Sequence, residues 1–245
     1  MKKTIIGMYV FVVTLLLVTS LISASMILPA NENAWKHSPV ISENGGLEKV
    51  DFIHYAKPTN PAKPAKTVTC YKLMGVKWNT LPVNYIINPT NHQELSESFV
   101  IGAISTSAET WDSATSQELF NNAYEVDYSA SYGVQNFQNA IDFGDYPNDG
   151  VIAVTSVWYT RVGKQIVEFD MRFNTRFNWG DAENNPALMD LQNIATHELG
   201  HAVGMGDLYN SCIEETMYGY GSLGETKKRD LGTGDISGIR ALYGI

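Results

Sequence analysis

The chain has 245 residues, of which 44% are hydrophobic and 18% are charged, a composition typical of a globular protein and not of a disordered or fibrous one. Its formal net charge of -9 argues against binding to nucleic acid or to an anionic membrane surface, because both carry negative charge that repels an acidic protein. Any association with a membrane therefore has to depend on an apolar segment.

The N-terminus has the pattern of an export signal. Two lysines precede an apolar run over residues 5–22, and small residues follow at positions 23–25. This pattern predicts a cleaved signal peptide over residues 1–25, with a retained N-terminal membrane anchor as the alternative. Both interpretations predict a secreted or extracytoplasmic protein, in which the only two cysteines, Cys70 and Cys212, are expected to form a disulfide bond.

Residues 26–69 have little periodicity, and proline recurs at every third position from 58 to 64. Proline removes backbone donors and disfavours both helices and central strands, so this region is predicted to be an extended, solvated spacer. A propeptide is the alternative interpretation. The folded domain is expected to cover residues 70–245.

The folded region is predicted to contain three strands and three helices. Strand-like composition occurs at residues 81–87, 151–159 and 165–174. Helical spacing of apolar residues occurs at residues 96–111, 187–203 and 235–243, the last with Asp235 as its N-cap. From the residues alone, this order of elements predicts one α+β or α/β domain.

The strongest chemical signal is the segment His197-Glu198-Leu199-Gly200-His201. Residues four apart on a helix lie on the same face, so both histidines can bind one metal ion. Glu198 lies beside the first histidine, where it can act as general base on zinc-bound water. This segment predicts the centre of a catalytic zinc site.

A catalytic zinc site needs a third protein ligand. Gly204 tolerates positive φ and can turn the chain back after the helix, which would bring Asp207 to the third position. Three other histidines lie far upstream, the first two of them in the predicted spacer: His37, His54 and His92. A gluzincin-type peptidase would instead use a glutamate on a following helix, with three candidates: Glu214, Glu215 and Glu225.

The motif formed by the two histidines, Glu198, Gly204 and Asp207 resembles the extended zinc motif of the metzincin metallopeptidases. In most of that clan the last ligand is histidine, and an aspartate there is similar to the snapalysin-like group. Residues 216–220, around Met217, and residues 235–244 resemble the methionine turn and C-terminal helix of the matrixins. The resemblance implies an α+β metzincin-type domain, with a mixed twisted sheet, an active-site helix and a C-terminal helix.

The resemblance also implies a zinc-dependent endopeptidase with one catalytic zinc ion. A polypeptide substrate is expected to lie extended along residues 151–159, with residues 219–230 forming one wall of the specificity pocket. We expect a monomer.

A second interpretation of Cys70 is an inhibitory thiolate on zinc, as in matrixin propeptides. A non-catalytic binding module is the rival from another class, but an altered Glu198 would indicate it and Glu198 is intact.

Matrixins commonly bind a second, structural zinc ion through histidines in the region of residues 142–170. This sequence has none there, and Glu168 stands where a histidine is expected, so no structural zinc is predicted. A calcium ion could bind an oxygen-rich loop, although such clusters suit a solvated turn equally well. The loop residues are Asp142, Asp145, Asn148 and Asp149.

Overall fold

The computed structural model describes residues 40–41, 46–57, 69–209 and 212–245. The predicted signal peptide or anchor over residues 1–25 lies outside these residues, as does His37. Within the part of the chain that is described, no helix is long and apolar enough to cross a membrane.

The described residues form ten strands and three α-helices. The strands are β1 (Val40–Ile41), β2 (Leu47–Ala56), β3 (Ile86–Ile87), β4 (Glu125–Val126), β5 (Ala140–Gly144), β6 (Val151–Thr160), β7 (Ile166–Asn174), β8 (Trp179–Gly180), β9 (Met189–Asp190) and β10 (Tyr220–Gly221). The helices are α1 (Glu97–Asp112), α2 (Leu191–Ala202) and α3 (Thr233–Tyr243).

One mixed sheet organises the domain, in the order β1-β2-β6-β7-β5-β3-β4, with β10 pairing with β2. Strands β4, β3, β5 and β7 are parallel, whereas β6 runs antiparallel to both β7 and β2. Helix α1 packs against α2, which packs against β6 and β7. The core between these layers includes the fully buried side chains of Trp111, Phe169, Phe173 and Leu199. This architecture confirms the α+β prediction.

The long elements lie close to their predicted positions. Helix α1 begins after Ser96, whose hydroxyl oxygen accepts a hydrogen bond from the amide of Phe99 at 3.3 Å. Helix α2 begins four residues later than predicted, because Asp190 is its N-cap and accepts from the amide of Asn193 at 2.8 Å. Only Ile86–Ile87 of the predicted strand 81–87 forms a regular strand.

The prediction that Asp235 caps the last helix is wrong. Helix α3 begins at Thr233 and Gly232 is its N-cap, so Asp235 is the third helical residue. Its carboxylate accepts from the amides of Gly232, Thr216 and Met217. The acidic residue that the sequence indicates as a cap therefore ties the helix to the preceding loop.

Strand β2 lies within residues 26–69, which the sequence predicts to be a spacer or propeptide. Val50, Phe52 and His54 are buried and alternate with less buried neighbours, the pattern of a half-buried strand. The strand pairs with β6 along its whole length, from Leu47 opposite Thr160 to residue 55 opposite Val151. The folded part of the chain therefore begins before the predicted boundary at residue 70.

Candidate active site

Helix α2 brings two imidazoles together. His197 and His201 are one turn apart, and their Nε2 atoms lie 3.2 Å from each other in the buried interior. The helix ends where Gly204 adopts φ +96°, and a Cβ built there would come 2.5 Å from the carbonyl oxygen of Val76. Only glycine fits this turn. Beyond it, Asp207 Oδ1 lies 3.2 Å from His197 Nε2 and 3.3 Å from His201 Nε2.

The orientation of the two rings indicates which nitrogen atoms carry protons. His197 Nδ1 lies 2.7 Å from the carbonyl oxygen of Thr216, and His201 Nδ1 lies 2.9 Å from that of Met205. A carbonyl oxygen only accepts, so in the neutral ring each Nδ1 carries the proton and each Nε2 keeps its lone pair. Burial lowers the pKa of His197 to about 4, which favours its neutral form.

When both imidazoles are neutral, three lone-pair atoms face one another: the two Nε2 atoms and Asp207 Oδ1. Burial acts to lower the pKa of His201, but the adjacent Asp207 raises it, so a proton stays on this group when no metal is bound. The Asp207 Oδ1 atom is buried and has no hydrogen-bond donor among the described residues. Ligand atoms about 2.0–2.1 Å from a tetrahedral zinc ion are about 3.4 Å apart, close to the separations between these three atoms. Burial acts to raise the pKa of Asp207, but the adjacent His201 and His197 hold it well below its usual range. The donor set fits zinc.

Glu198 lies beside this group and is completely buried. Its Oε2 accepts a hydrogen bond from the hydroxyl of Thr155 on β6 at 2.6 Å. Burial raises the pKa of Glu198 to about 7. A carboxyl group with such a pKa can both accept and return a proton near neutral pH.

A methionine packs against the helix that carries the two histidines. Met217 is fully buried, and a Cβ built on Gly200 would come 2.3 Å from its sulfur and 2.6 Å from the ring of Trp111. The segment is anchored by Asp235, which accepts from the amides of Thr216 and Met217. The small residue between Glu198 and His201 thus makes room for the methionine.

Sequence analysis missed His54, which β2 delivers to the centre of the site. The His54 ring lies 3.9 Å from the His197 ring, and the Phe52 ring stacks on His201 at 4.0 Å and 13°. His54 Nδ1 lies 3.2 Å from Glu198 Oε1. His54, His197 and Glu198 form a second group close enough to hold a metal ion. The available signal in the sequence was the β-branched and aromatic composition of residues 50–55, and the proline-rich stretch that follows obscured it.

Lys228 was also missed. It is fully buried, and its Nζ donates to the carbonyl oxygens of Tyr218 and Tyr220 at 2.6 Å and 2.9 Å. Its third contact is His54 Nε2 at 3.1 Å. Since an ammonium group only donates, His54 Nε2 accepts and its Nδ1 is the protonated atom that donates to Glu198. No sequence motif marks this lysine.

The alternative ligands lie in other environments. Glu215 Oε2 accepts from the amides of Gly234 and Asp235, Glu214 is exposed, and Glu225 lies 3.9 Å from Lys228. Among the described residues, none of the three glutamates joins a group with His197 and His201. Their positions do not favour a gluzincin arrangement.

The cysteine prediction is confirmed: Cys70 and Cys212 form a disulfide bond, with Cα atoms 5.5 Å apart. The bond joins the segment before Val76 to the loop between Asp207 and Met217. Since its sulfur is bonded to Cys212, Cys70 offers no thiolate to the metal-binding group.

The other candidate metal positions are filled by hydrogen bonds. Glu168 accepts from the side chain of Gln135 and from the amides of residues 136 and 137. Among the residues considered for calcium, Asp142 accepts two hydrogen bonds from Arg172. The exposed carboxylates of Asp145 and Asp149 both pair with Arg176.

Comparisons with known proteins agree with the geometry. A family model described as Matrixin matches residues 77–244. Metalloendoproteinase 1 of Glycine max is 40% identical over 68 residues, which are 27% of this chain and 21% of that protein. Metalloendoproteinase 2-MMP of Arabidopsis thaliana is 32% identical over 105 residues, 42% of this chain and 27% of that protein. Matrix metalloproteinase-25 of Mus musculus is 25% identical over 177 residues, 71% of this chain and 28% of that protein.

The chain thus spans less than a third of the length of these curated relatives. The residues matched by the family model include α2, Asp207 and Lys228, but β2 and His54 precede them.

Proposed function

We propose that this chain, which belongs to the matrixin family, is a zinc-dependent endopeptidase that hydrolyses peptide bonds in extracytoplasmic proteins or peptides. The observation that carries the proposal is the convergence of three lone-pair atoms beside a buried carboxylate. His197, His201 and Asp207 are the proposed ligands, and Glu198 is the proposed general base. Zinc, when bound, supplies a Lewis acid that polarises the scissile carbonyl and lowers the pKa of a water molecule.

The remaining chemistry belongs to the side chains around the metal. Glu198 takes a proton from the attacking water at one carboxylate oxygen and returns it to the leaving amine. Thr155 holds the other oxygen of Glu198, so the carboxylate keeps a fixed orientation. The carbonyl oxygens of Thr216 and Met205 fix both imidazole rings through their Nδ1 protons. Asp207 as third ligand, of the snapalysin type, is part of the same proposal.

A substrate is proposed to bind as an added strand along β6, through backbone hydrogen bonds. Strand β2 supports this mode, because it occupies the same edge of β6 in antiparallel register. At its end, Tyr55 and Ala56 pair with Tyr220 and Gly221 of β10, in the region expected to form a wall of the specificity pocket. The chain therefore carries an extended peptide across its own candidate active site.

The position of β2 favours the propeptide interpretation of the N-terminal region. Phe52 and His54 cover the two histidines, and His54 donates to the proposed base. A substrate cannot reach Glu198 while this strand is in place, so we propose that the protein is latent when β2 covers the candidate active site. Turnover requires β2 to leave the cleft.

Three finer proposals follow from other features. The disulfide bond supports an extracytoplasmic location, since such bonds persist in oxidising compartments. We propose a monomer that acts on polypeptides. Calcium binding by Asp142, Asp145, Asn148 and Asp149 stays a secondary prediction. The pairing of Asp142 with Arg172, and of Asp145 and Asp149 with Arg176, favours an arrangement without calcium.

The test uses the purified His54→Ala chain, in which β2 is expected to leave the cleft more readily, and measures hydrolysis of an unfolded protein with and without a chelator, followed by zinc addition. Activity should disappear with the chelator and return with zinc. Glu198→Ala should lower turnover by about 100- to 10,000-fold, because it removes the proton acceptor. In the same chain, Glu109→Ala, at an exposed position of α1, is the control and should leave the rate unchanged. Hydrolysis that persists in the chelator or in Glu198→Ala would contradict the proposal.

A further inference from the structure

The His54 side chain lies in a closed compartment next to the proposed metal ligands. The His197 ring forms one wall. Gly221 forms another, since a Cβ built there would lie 3.1 Å from His54 Nε2, 3.0 Å from Ile152 Cδ1 and 3.3 Å from Ile194 Cδ1. His54 is only 1% exposed, so the compartment encloses the imidazole. We call this compartment the His54 subsite.

Lys228 closes the inner end of the His54 subsite. An ammonium group has three donors and no acceptor. Two of them are taken by the carbonyl oxygens of Tyr218 and Tyr220, and the third donates to His54 Nε2. A buried donor left without an acceptor destabilises the bound state. A side chain that fills the His54 subsite but has no hydrogen-bond acceptor near Lys228 Nζ therefore leaves one of the three N–H donors of the lysine unpaired.

Two carboxylates already lie next to this subsite. Glu225 Oε1 is 3.9 Å from Lys228 Nζ, and Glu198 Oε1 is 3.2 Å from His54 Nδ1. The Glu225 oxygen is buried and accepts no hydrogen bond from the described residues. Glu225 thus balances the positive charge of Lys228 before an occupant enters. A further carboxylate in the subsite would be repelled, whereas a neutral acceptor would not.

We propose that Lys228 is a specificity-determining residue and that the His54 subsite selects peptides with a neutral hydrogen-bond acceptor, an imidazole or a carboxamide, at this position. The inference rests on the proposed function, because β2 stands in for the substrate. An apolar side chain of similar size fills the same space but leaves the third donor of Lys228 unpaired. A glutamate supplies an acceptor but adds a negative charge beside Glu225.

The first test is a double-mutant cycle in the full-length chain, with amide hydrogen exchange of residues 47–56 as the readout. His54→Leu should lower the protection of β2 at least about tenfold relative to His54→Gln, since hydrogen bonds to charged groups are among the stronger ones. His54→Glu should resemble His54→Leu. In the Lys228→Met background, the difference between Gln and Leu should disappear. Exchange of β5 serves as the control for an intact fold.

Two outcomes would overturn the proposal: equal or greater protection with Leu or Glu than with Gln at position 54, or a preference for Gln that survives Lys228→Met. If Lys228→Met fails to fold, the ranking of Gln, Leu and Glu beside native Lys228 decides by itself. The exchange experiment needs no hydrolysis. Its failure is therefore distinguishable from the failure of the proposed peptidase function.

The second test offers peptides to the full-length His54→Gly chain, whose own strand lacks the contacts of the His54 side chain and is expected to leave the cleft more readily. The peptides copy residues 49–56 with Gln or Leu at position 54. The Gln peptide should have a kcat/KM at least about tenfold higher, and adding Lys228→Met should abolish that advantage. A preference for the Leu peptide would overturn the proposal.

Discussion

The proposed metal ligands and strand β2 meet at one site but reach it by different routes. His197, His201 and Asp207 come from one short segment, and their convergence follows from helix periodicity and the turn at Gly204. His54 is 144 residues from Glu198 in sequence and reaches it only because β2 pairs with β6. A local motif can be predicted from spacing, whereas a residue delivered by sheet pairing cannot.

The largest expected effect on stability concerns the disulfide bond that holds the loop between Asp207 and Met217. Replacing Cys70 and Cys212 with serine removes a cross-link between residues separated by 142 positions. The free energy of unfolding should fall by about 2–5 kcal/mol, measured by urea denaturation. Replacing Ser113 with alanine, at an exposed position, is the control. A loss below about 1 kcal/mol would mean that the segment holds its geometry without the disulfide bond.

A second prediction concerns the packing of the helix that carries two of the proposed metal ligands. Gly200→Ala should lower the free energy of unfolding by about 1–3 kcal/mol, because the added methyl group overlaps Met217 and Trp111. Gly102→Ala is the matched control in helix α1, where nothing lies within 4 Å of the added Cβ. That variant should be more stable by about 0.5–1 kcal/mol, since alanine favours helix. Equal effects in thermal or urea denaturation would contradict the packing account.

A third prediction tests β2. His54→Ala should raise hydrolysis of an added unfolded protein by about tenfold, because the strand loses its contacts with Glu198 and Lys228. Zinc content should stay the same. His92→Ala, at an exposed loop position, is the control and should leave the rate unchanged. A rate that falls with His54→Ala would mean that His54 assists the reaction and that β2 does not block it.

Most long elements of the fold were predictable because their patterns are local. Strands β6 and β7 and helix α1 lie within one or two residues of their predicted bounds. The start of α2 was predicted four residues too early, because the apolar pattern continues on the N-terminal side of Asp190. In the structure Asp190 is the N-cap of the helix and also belongs to β9, which pairs with β8. Asp235 was misplaced as a cap because its real partners, the amides of Thr216 and Met217, come from another segment.

The same distinction applies to the candidate site. The sequence predicts which side chains can converge on a metal, since their spacing is set by one helix and one turn. It does not predict that Lys228 is buried against His54, because these residues are 174 positions apart. Composition also led to a wrong expectation for β2. The proline-rich stretch after it suggested a spacer, whereas buried and less buried residues alternate along Leu47–Ala56 as in a half-buried strand.

The zinc content of two variants tests the central claim most directly. Glu198→Ala removes the proposed base and should retain one zinc ion per chain by elemental analysis. Asp207→Ala removes the third proposed ligand and should bind zinc at least about 100-fold more weakly, since even indirect partners of a zinc ligand change affinity 10- to 100-fold. The result that would contradict the account is an Asp207→Ala chain that keeps its zinc while a variant of Glu214, Glu215 or Glu225 loses it.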